Sequence, residues 1–147
     1  MKIVTYPHPV LLQEATPLDT IDEQIQERVA EMFRLMYEAR GIGLAGNQVD
    51  WPVRLFVVNL AACPEEGEEH VFINPRILSR SGRAVAEEAC LSIPGLSGPV
   101  ARATSIRMEA TNLQGERFEV EATDLHARCL QHEFDHLEGI LFVSKVV

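Results

Sequence analysis

The sequence predicts an α+β fold: mostly antiparallel β-sheets packed around a helix that carries a His-Glu-x-x-His metal-binding motif, with a second helix near the N-terminus. Three observations lead there. An apolar period of three to four residues marks one early and one late segment, and β-branched and aromatic runs broken by Pro and Gly lie between them. These runs do not alternate regularly with helical segments, as a parallel α/β sheet would require.

The early helix begins where Thr20 is followed three residues later by Glu23, a capping-box spacing, and runs to about Arg40. Ile21, Ile25, Val29, Met32, Met36 and Ala39 line up as its core stripe, and Gly41 is placed to supply a left-handed stop. Val53–Leu60 and Val71–Asn74 read as strands punctuated by Pro52, Pro64 and Pro75. Ser105–Ala110 and Arg117–Glu121 alternate apolar and polar residues around the segment Thr111–Gly115, which predicts a hairpin or meander. Ser79–Val100, rich in Gly, Pro and Ser, separates the two strand groups. Thr123 or Asp124 caps a late helix from Leu125 to about Glu138, closed by Gly139 and followed by the apolar segment Ile140–Val143. The sheet is expected to pack against this helix.

At 147 residues and 46% hydrophobic content the chain is expected to form one domain, 1–147, with a genuine core. Thirteen basic against 22 acidic residues give a net charge of −9, which repels nucleic-acid phosphates and anionic membranes. No apolar run approaches the length of a bilayer span. Three cysteines, an odd number, with no charged-then-apolar stretch at the start, set the expectation of a reducing compartment, cytoplasm or organelle. Their thiols are then available to a metal.

The chemistry concentrates in Gln131-His132-Glu133-Phe134-Asp135-His136. Histidines four apart on a helix stack on one face within reach of one ion, and Glu133, about 100° around the axis, can touch a water on that ion without being a ligand. A catalytic site of this kind has three protein ligands and an open position. Only 11 residues follow His136, and their one carboxylate, Glu138, points to another face, so the third ligand is sought upstream. Cys129 shares the helix face but lies roughly 7 Å along the axis from an ion seated between the histidines, beyond a cysteine's reach; it reads as a small apolar lining residue. Cys63 sits in a charged loop without a supporting pattern. Cys90, in Glu87–Pro94, is the favoured thiolate. The bare motif leaves two other readings open: a metallopeptidase cutting internal peptide bonds, and a non-catalytic protein with a structural metal.

Three segments together resemble the peptide deformylases: Gly41-Ile42-Gly43-Leu44-Ala45-Gly46-Asn47-Gln48, Glu88-Ala89-Cys90-Leu91-Ser92, and Gln131-His132-Glu133-Phe134-Asp135-His136-Leu137. The resemblance extends over nearly the whole chain. It implies removal of the formyl group from N-formylmethionyl peptides of nascent proteins, with release of formate. It implies metal ligands at Cys90, His132 and His136, a general acid/base at Glu133, and oxyanion donors at the Gln48 side chain and Leu91 backbone N–H. It also implies substrate contacts at Ile42, Gly43, Leu125 and Cys129, the last two near the methionine pocket. One divalent ion is expected, Fe(II) first, with Zn, Ni or Co able to occupy the site. The expected partners are formylmethionyl peptides, including ribosome-associated nascent chains, met by a monomer.

The chain departs from the family at three places. Gly46 stands where Ala is common, and Ala89 where Gly is common; if position 89 needs a positive φ, alanine is strained there. Gly95–Val100, read as a loop, lacks the arginine that some members place near the peptide, and Arg102 is the candidate to take its role.

Overall fold

The computed structural model describes residues 1–147. Helix α1 spans Glu23–Glu38, and its N-cap is Asp22, whose side chain accepts from the Ile25 N–H at 3.0 Å. The expected cap, Thr20, lies outside the helix. Asp22 is the stronger choice because its carboxylate satisfies a free N–H and also faces the positive end of the helix dipole. The helix ends in a Schellman arrangement: Arg40 N donates to Tyr37 O at 3.0 Å and Gly41 N to Met36 O at 2.9 Å. The left-handed residue is therefore Arg40, at φ 60, and not Gly41. A Cβ at Gly41 would stand 2.7 Å from Leu91 Cδ1, so a larger residue there would displace the Leu91 side chain.

Seven strands follow: β1 (Gly43–Ala45), β2 (Leu55–Val58), β3 (His70–Ser81), β4 (Ala84–Cys90), β5 (Ile93–Arg102), β6 (Ser105–Thr111) and β7 (Arg117–Thr123). They form a five-stranded sheet in the order β1-β2-β3-β6-β7 and a separate hairpin, β4–β5, with every pairing antiparallel. Helix α2, Asp124–Leu137, runs directly on from β7. The expected hairpin around Thr111–Gly115 is present as β6–β7, with Ala110 opposite Phe118.

Two further expectations need correction. Pro75 does not end the second strand: β3 passes through it by a register shift between Ile73 and Arg76, with Asn74 at φ 50. Proline lacks the N–H a ladder needs, and a bulge is where a strand tolerates it. Asn74 anchors the irregularity by bonding both Leu18 N (2.9 Å) and Leu18 O (2.8 Å). Nor is Ser79–Val100 a spacer between strand groups, because it contains the end of β3, all of β4 and most of β5. Its Gly and Pro residues mask a ladder whose partners lie along the same hairpin.

The five-stranded sheet is covered on both faces. Along β2, Leu55 and Val57 pack with Val29, Met32 and Met36 of α1, whereas Phe56 and Val58 pack with Ala127, Leu130 and Leu137 of α2. Side chains alternate across a strand, so a strand buried on both sides is apolar without a break, which is why LFVV reads as a continuous run. The motif helix is thus clamped by apolar packing to the rigid centre of the molecule.

Candidate metal centre

His132 and His136 lie on one face of α2, their ring centroids 5.0 Å apart in an edge-to-face arrangement. Cys90 reaches them from the end of β4, immediately before the two-residue turn Leu91–Ser92 that leads into β5. Its Sγ lies 3.3 Å from His136 Nε2, and ligand atoms of Cys90, His132 and His136 all fall within 4.8 Å of one another. Tetrahedral coordination with ordinary metal–nitrogen and metal–sulfur bonds separates such donors by roughly 3.5 Å, so the residues fit a single ion. Cys129 is outside the group and buried at 4% exposure; burial, with the Glu133 charge adding to it, pushes its thiol pKa well up. It stays a protonated, apolar lining residue.

The histidines are tuned in opposite directions. Burial depresses His136 well below the usual imidazole range, with the His132 charge reinforcing it, which keeps the ring neutral and able to ligate. Burial also pulls His132 down, but the Cys90 sulfur and Glu88 carboxylate outweigh it and raise the ring to about 10. Glu88 Oε1 accepts from His132 Nδ1 at 2.9 Å, which leaves Nε2 to face the donors.

Glu133 is the acid/base candidate. Its carboxylate is buried, Oε1 has no hydrogen-bond partner, and burial raises its pKa to about 7 against the opposing pull of His132. Gly43 makes room for it: a Cβ there would lie 2.7 Å from Glu133 Oε2. The absence of a side chain at Gly43 admits the carboxylate. Gln48 is held by Ala45 N donating to its Oε1 at 3.0 Å, and its Nε2 points at Ser92 Oγ (3.2 Å) and Cys90 Sγ (3.6 Å). No turn or loop carbonyl takes the Leu91 N–H.

One cavity of about 340 Å³ gathers these groups. Ile42, Gly43 and Gln48 border it on one side, Cys90 and Leu91 at the hairpin tip, and Leu125, Cys129, His132 and Glu133 along α2. His136 lies behind this wall, 1% exposed.

Arg102 does not take up a peptide-binding role. It is 5% exposed and spent internally: Nε and Nη2 grip Glu88 at 2.8 and 2.9 Å, and Nη1 donates to Asp135 Oδ2 at 2.6 Å. Gly95–Val100 is likewise strand, not loop. Ala89 carries no positive φ and pairs with Ser97 just before the register shift at Cys90, so the expected strain is absent. Gly46 is where alanine would be difficult, because a Cβ would stand 2.4 Å from Trp51 O.

Residue-by-residue reading missed the supporting network of Glu88, Arg102 and Asp135. A partial signal existed: Glu88 is two residues before Cys90, hence on the same face of a strand, and Asp135 lies one turn on from Gln131 beside His136. Its partner, Arg102, comes from the far strand of the hairpin and left no local mark.

An α+β scaffold presenting three candidate metal donors, a buried carboxylate of raised pKa and an adjoining cavity has the make-up of a catalytic rather than a structural metal site, since structural sites close the fourth position with protein. Comparison with known proteins agrees. The family described as polypeptide deformylase matches residues 1–147. The peptide deformylase of Neisseria gonorrhoeae is 46% identical over 146 residues, covering 99% of this chain and 86% of that protein. Among solved structures, peptide deformylase 1B of Arabidopsis thaliana in complex with an inhibitor superposes with a TM-score of 0.96 at 42% identity, covering 100% of this chain and 82% of that one. The Thermotoga maritima peptide deformylase superposes at 0.94 with 35% identity, covering 99% and 97%. The chain belongs to the polypeptide deformylase family.

Proposed function

We propose that the protein removes the formyl group from N-formylmethionyl peptides, releasing formate, with one divalent ion held by Cys90, His132 and His136. The observation that carries this reading is the meeting of those three donors with the buried Glu133 carboxylate at the wall of a single cavity. A divalent ion bound there supplies Lewis acidity toward the formyl oxygen and water.

The chain's own groups do the rest. Glu133, a buried carboxylate beside the three donors, takes a proton from the attacking water and returns it to the departing methionyl amine. As the formyl oxygen gains charge, Gln48 Nε2 and the Leu91 N–H donate to it, each such donor being worth about 3 kcal/mol. Leu125 and Cys129 offer apolar contact for the methionine side chain, Ile42 borders the substrate, and Gly43 lets substrate backbone approach beside Glu133. A thiolate with two imidazoles suits Fe, Zn, Ni or Co, and Fe(II) is the ion we assign on family grounds. The substrate is the formylated start of new chains, including those still on the ribosome, and the protein acts as a cytoplasmic or organellar monomer.

Incubation with a formyl-methionyl peptide and its unformylated counterpart, with formate measured, tests the assignment. Formate from the first and no cleavage of the second is expected. Internal cleavage of the second without formate from the first would replace this reading with a metallopeptidase.

A further inference from the structure

Arg128 lies one turn before His132 on α2 and its side chain is 13% exposed. It makes three bonds, all to the β4–β5 hairpin. Nη1 donates to Glu88 Oε2 at 2.7 Å and to Val100 O at 2.9 Å, and Nη2 donates to Ala84 O at 2.9 Å. Ala84 and Glu88 belong to β4 and Val100 to β5, so one guanidinium ties both strands to the helix.

This attachment matters because the donor set is divided. Cys90 rides on the hairpin, His132 and His136 on the helix. The hairpin belongs to a different sheet from the one α2 packs against, and its backbone approaches α2 at few points. Long side chains therefore bridge the gap. Arg102 bridges in one direction, from β5 to Asp135 of α2, and Arg128 in the other. Both hold Glu88, and Glu88 orients His132 through Nδ1.

We propose that Arg128 is a positioning residue for the metal: by fixing the hairpin and Glu88 against α2, it sets the distance of Cys90 from the two histidines and the orientation of His132. The inference rests on the metal-site reading above but not on the reaction assigned to it. It predicts an effect on how firmly an ion is held, separable from an effect on folding. Arg102 still pairs with Glu88 when Arg128 is replaced, so the network is loosened and not dismantled.

Co(II) provides the test, loaded without oxygen into the full chain and into Arg128→Leu and Arg128→Lys. Release to excess chelator and the visible absorption of bound Co(II) are measured with circular dichroism and thermal unfolding. Arg128→Leu is expected to release Co(II) at least tenfold faster with an altered Co(II) spectrum and unchanged circular dichroism. Arg128→Lys, which keeps the charge but lacks the planar fork, should fall between. Release within twofold of the unsubstituted protein and an unchanged spectrum in Arg128→Leu would overturn the proposal, as would a change in thermal unfolding alone. If Arg128→Leu does not fold, Arg128→Lys decides, and release from it at the unsubstituted rate overturns the proposal. Unsubstituted protein that takes up no Co(II) overturns both this inference and the metal site. Tight Co(II) without formate production leaves this inference standing and removes only the assigned reaction.

Discussion

Where α2 meets the five-stranded sheet, Ala127, Leu130 and Leu137 are fully buried among Phe56, Phe72, Ile106 and Met108. Where the same helix meets the β4–β5 hairpin, the contacts are Arg128 and His132 to Glu88, Asp135 to Arg102, and His136 to Cys90. The apolar side is non-directional and tolerates small displacements, whereas the polar side works only at hydrogen-bond distances and angles. One helix therefore divides two tasks between its faces. Packing on the sheet supplies stability, and directed bonds to the hairpin hold the three candidate donors together.

Substitutions on the two faces should separate accordingly. The largest effect is expected for Cys90→Ala, which removes the hairpin's only donor to the site: bound metal, measured by elemental analysis after anaerobic purification, should be lost while the fold remains. Retention of a full equivalent would break the division of donors between hairpin and helix. Glu133→Ala should keep the metal and lose turnover by about 10²- to 10⁴-fold, the range for a positioned acid/base. Full activity in that variant would refute its role. Gly43→Ala should act in the same direction by pressing on Glu133 Oε2, with kcat falling and metal content unchanged.

On the apolar face, Leu130→Ala should cost about 2–5 kcal/mol in denaturant unfolding, the usual penalty for emptying a buried leucine site. The Co(II) spectrum of that variant should be unchanged. A shifted spectrum would show that the two faces are mechanically coupled.

The smallest effect concerns acid. Burial alone would raise the Glu88 pKa, but Arg102 and His132 hold it well below the usual carboxylate range. A carboxylate with a depressed folded pKa contributes stability that is present above its unfolded value of about 4.5 and is lost as pH falls toward the folded one. Glu133 has the opposite sign: raised to about 7, it favours the fold below about 4.5 and loses that contribution as pH rises through 7. In chelator-stripped protein, Glu88→Gln should flatten the acid limb of stability against pH, and Glu133→Gln the limb around neutrality. Unfolding measured from pH 3 to pH 8 checks both, and unchanged limbs would mean that the polar face carries no stability of its own.

Much of the apolar face was legible in the sequence. The periods of α1 and α2, the unbroken run of β2 and the alternation of β6–β7 each follow from local geometry, which repeats within four residues in a helix and two in a strand. So did the facing of His132 and His136, with Glu133 beside them. Cys90 was reached by exclusion and by resemblance, and the donor distances agree with it. Boundaries were less legible. Asp22 displaced Thr20 as cap and Arg40 displaced Gly41 as the left-handed residue, because neighbouring residues can fill either role and packing chooses between them.

The sequence by itself determined the helix that carries the motif, the apolar faces that bury it and the residue types able to hold an ion. Tertiary structure alone decided that Ser79–Val100 contains a paired hairpin, that Gly43 makes room for Glu133, and that Arg102 faces inward to Glu88 and Asp135. The reason is one of range. Periodicity is written by neighbours, but the bond between Glu88 and Arg102 joins residues on two strands and the bond between Cys90 and His136 joins a hairpin to a helix. Such pairs exist only once the chain has folded, and they set the geometry of the candidate metal site.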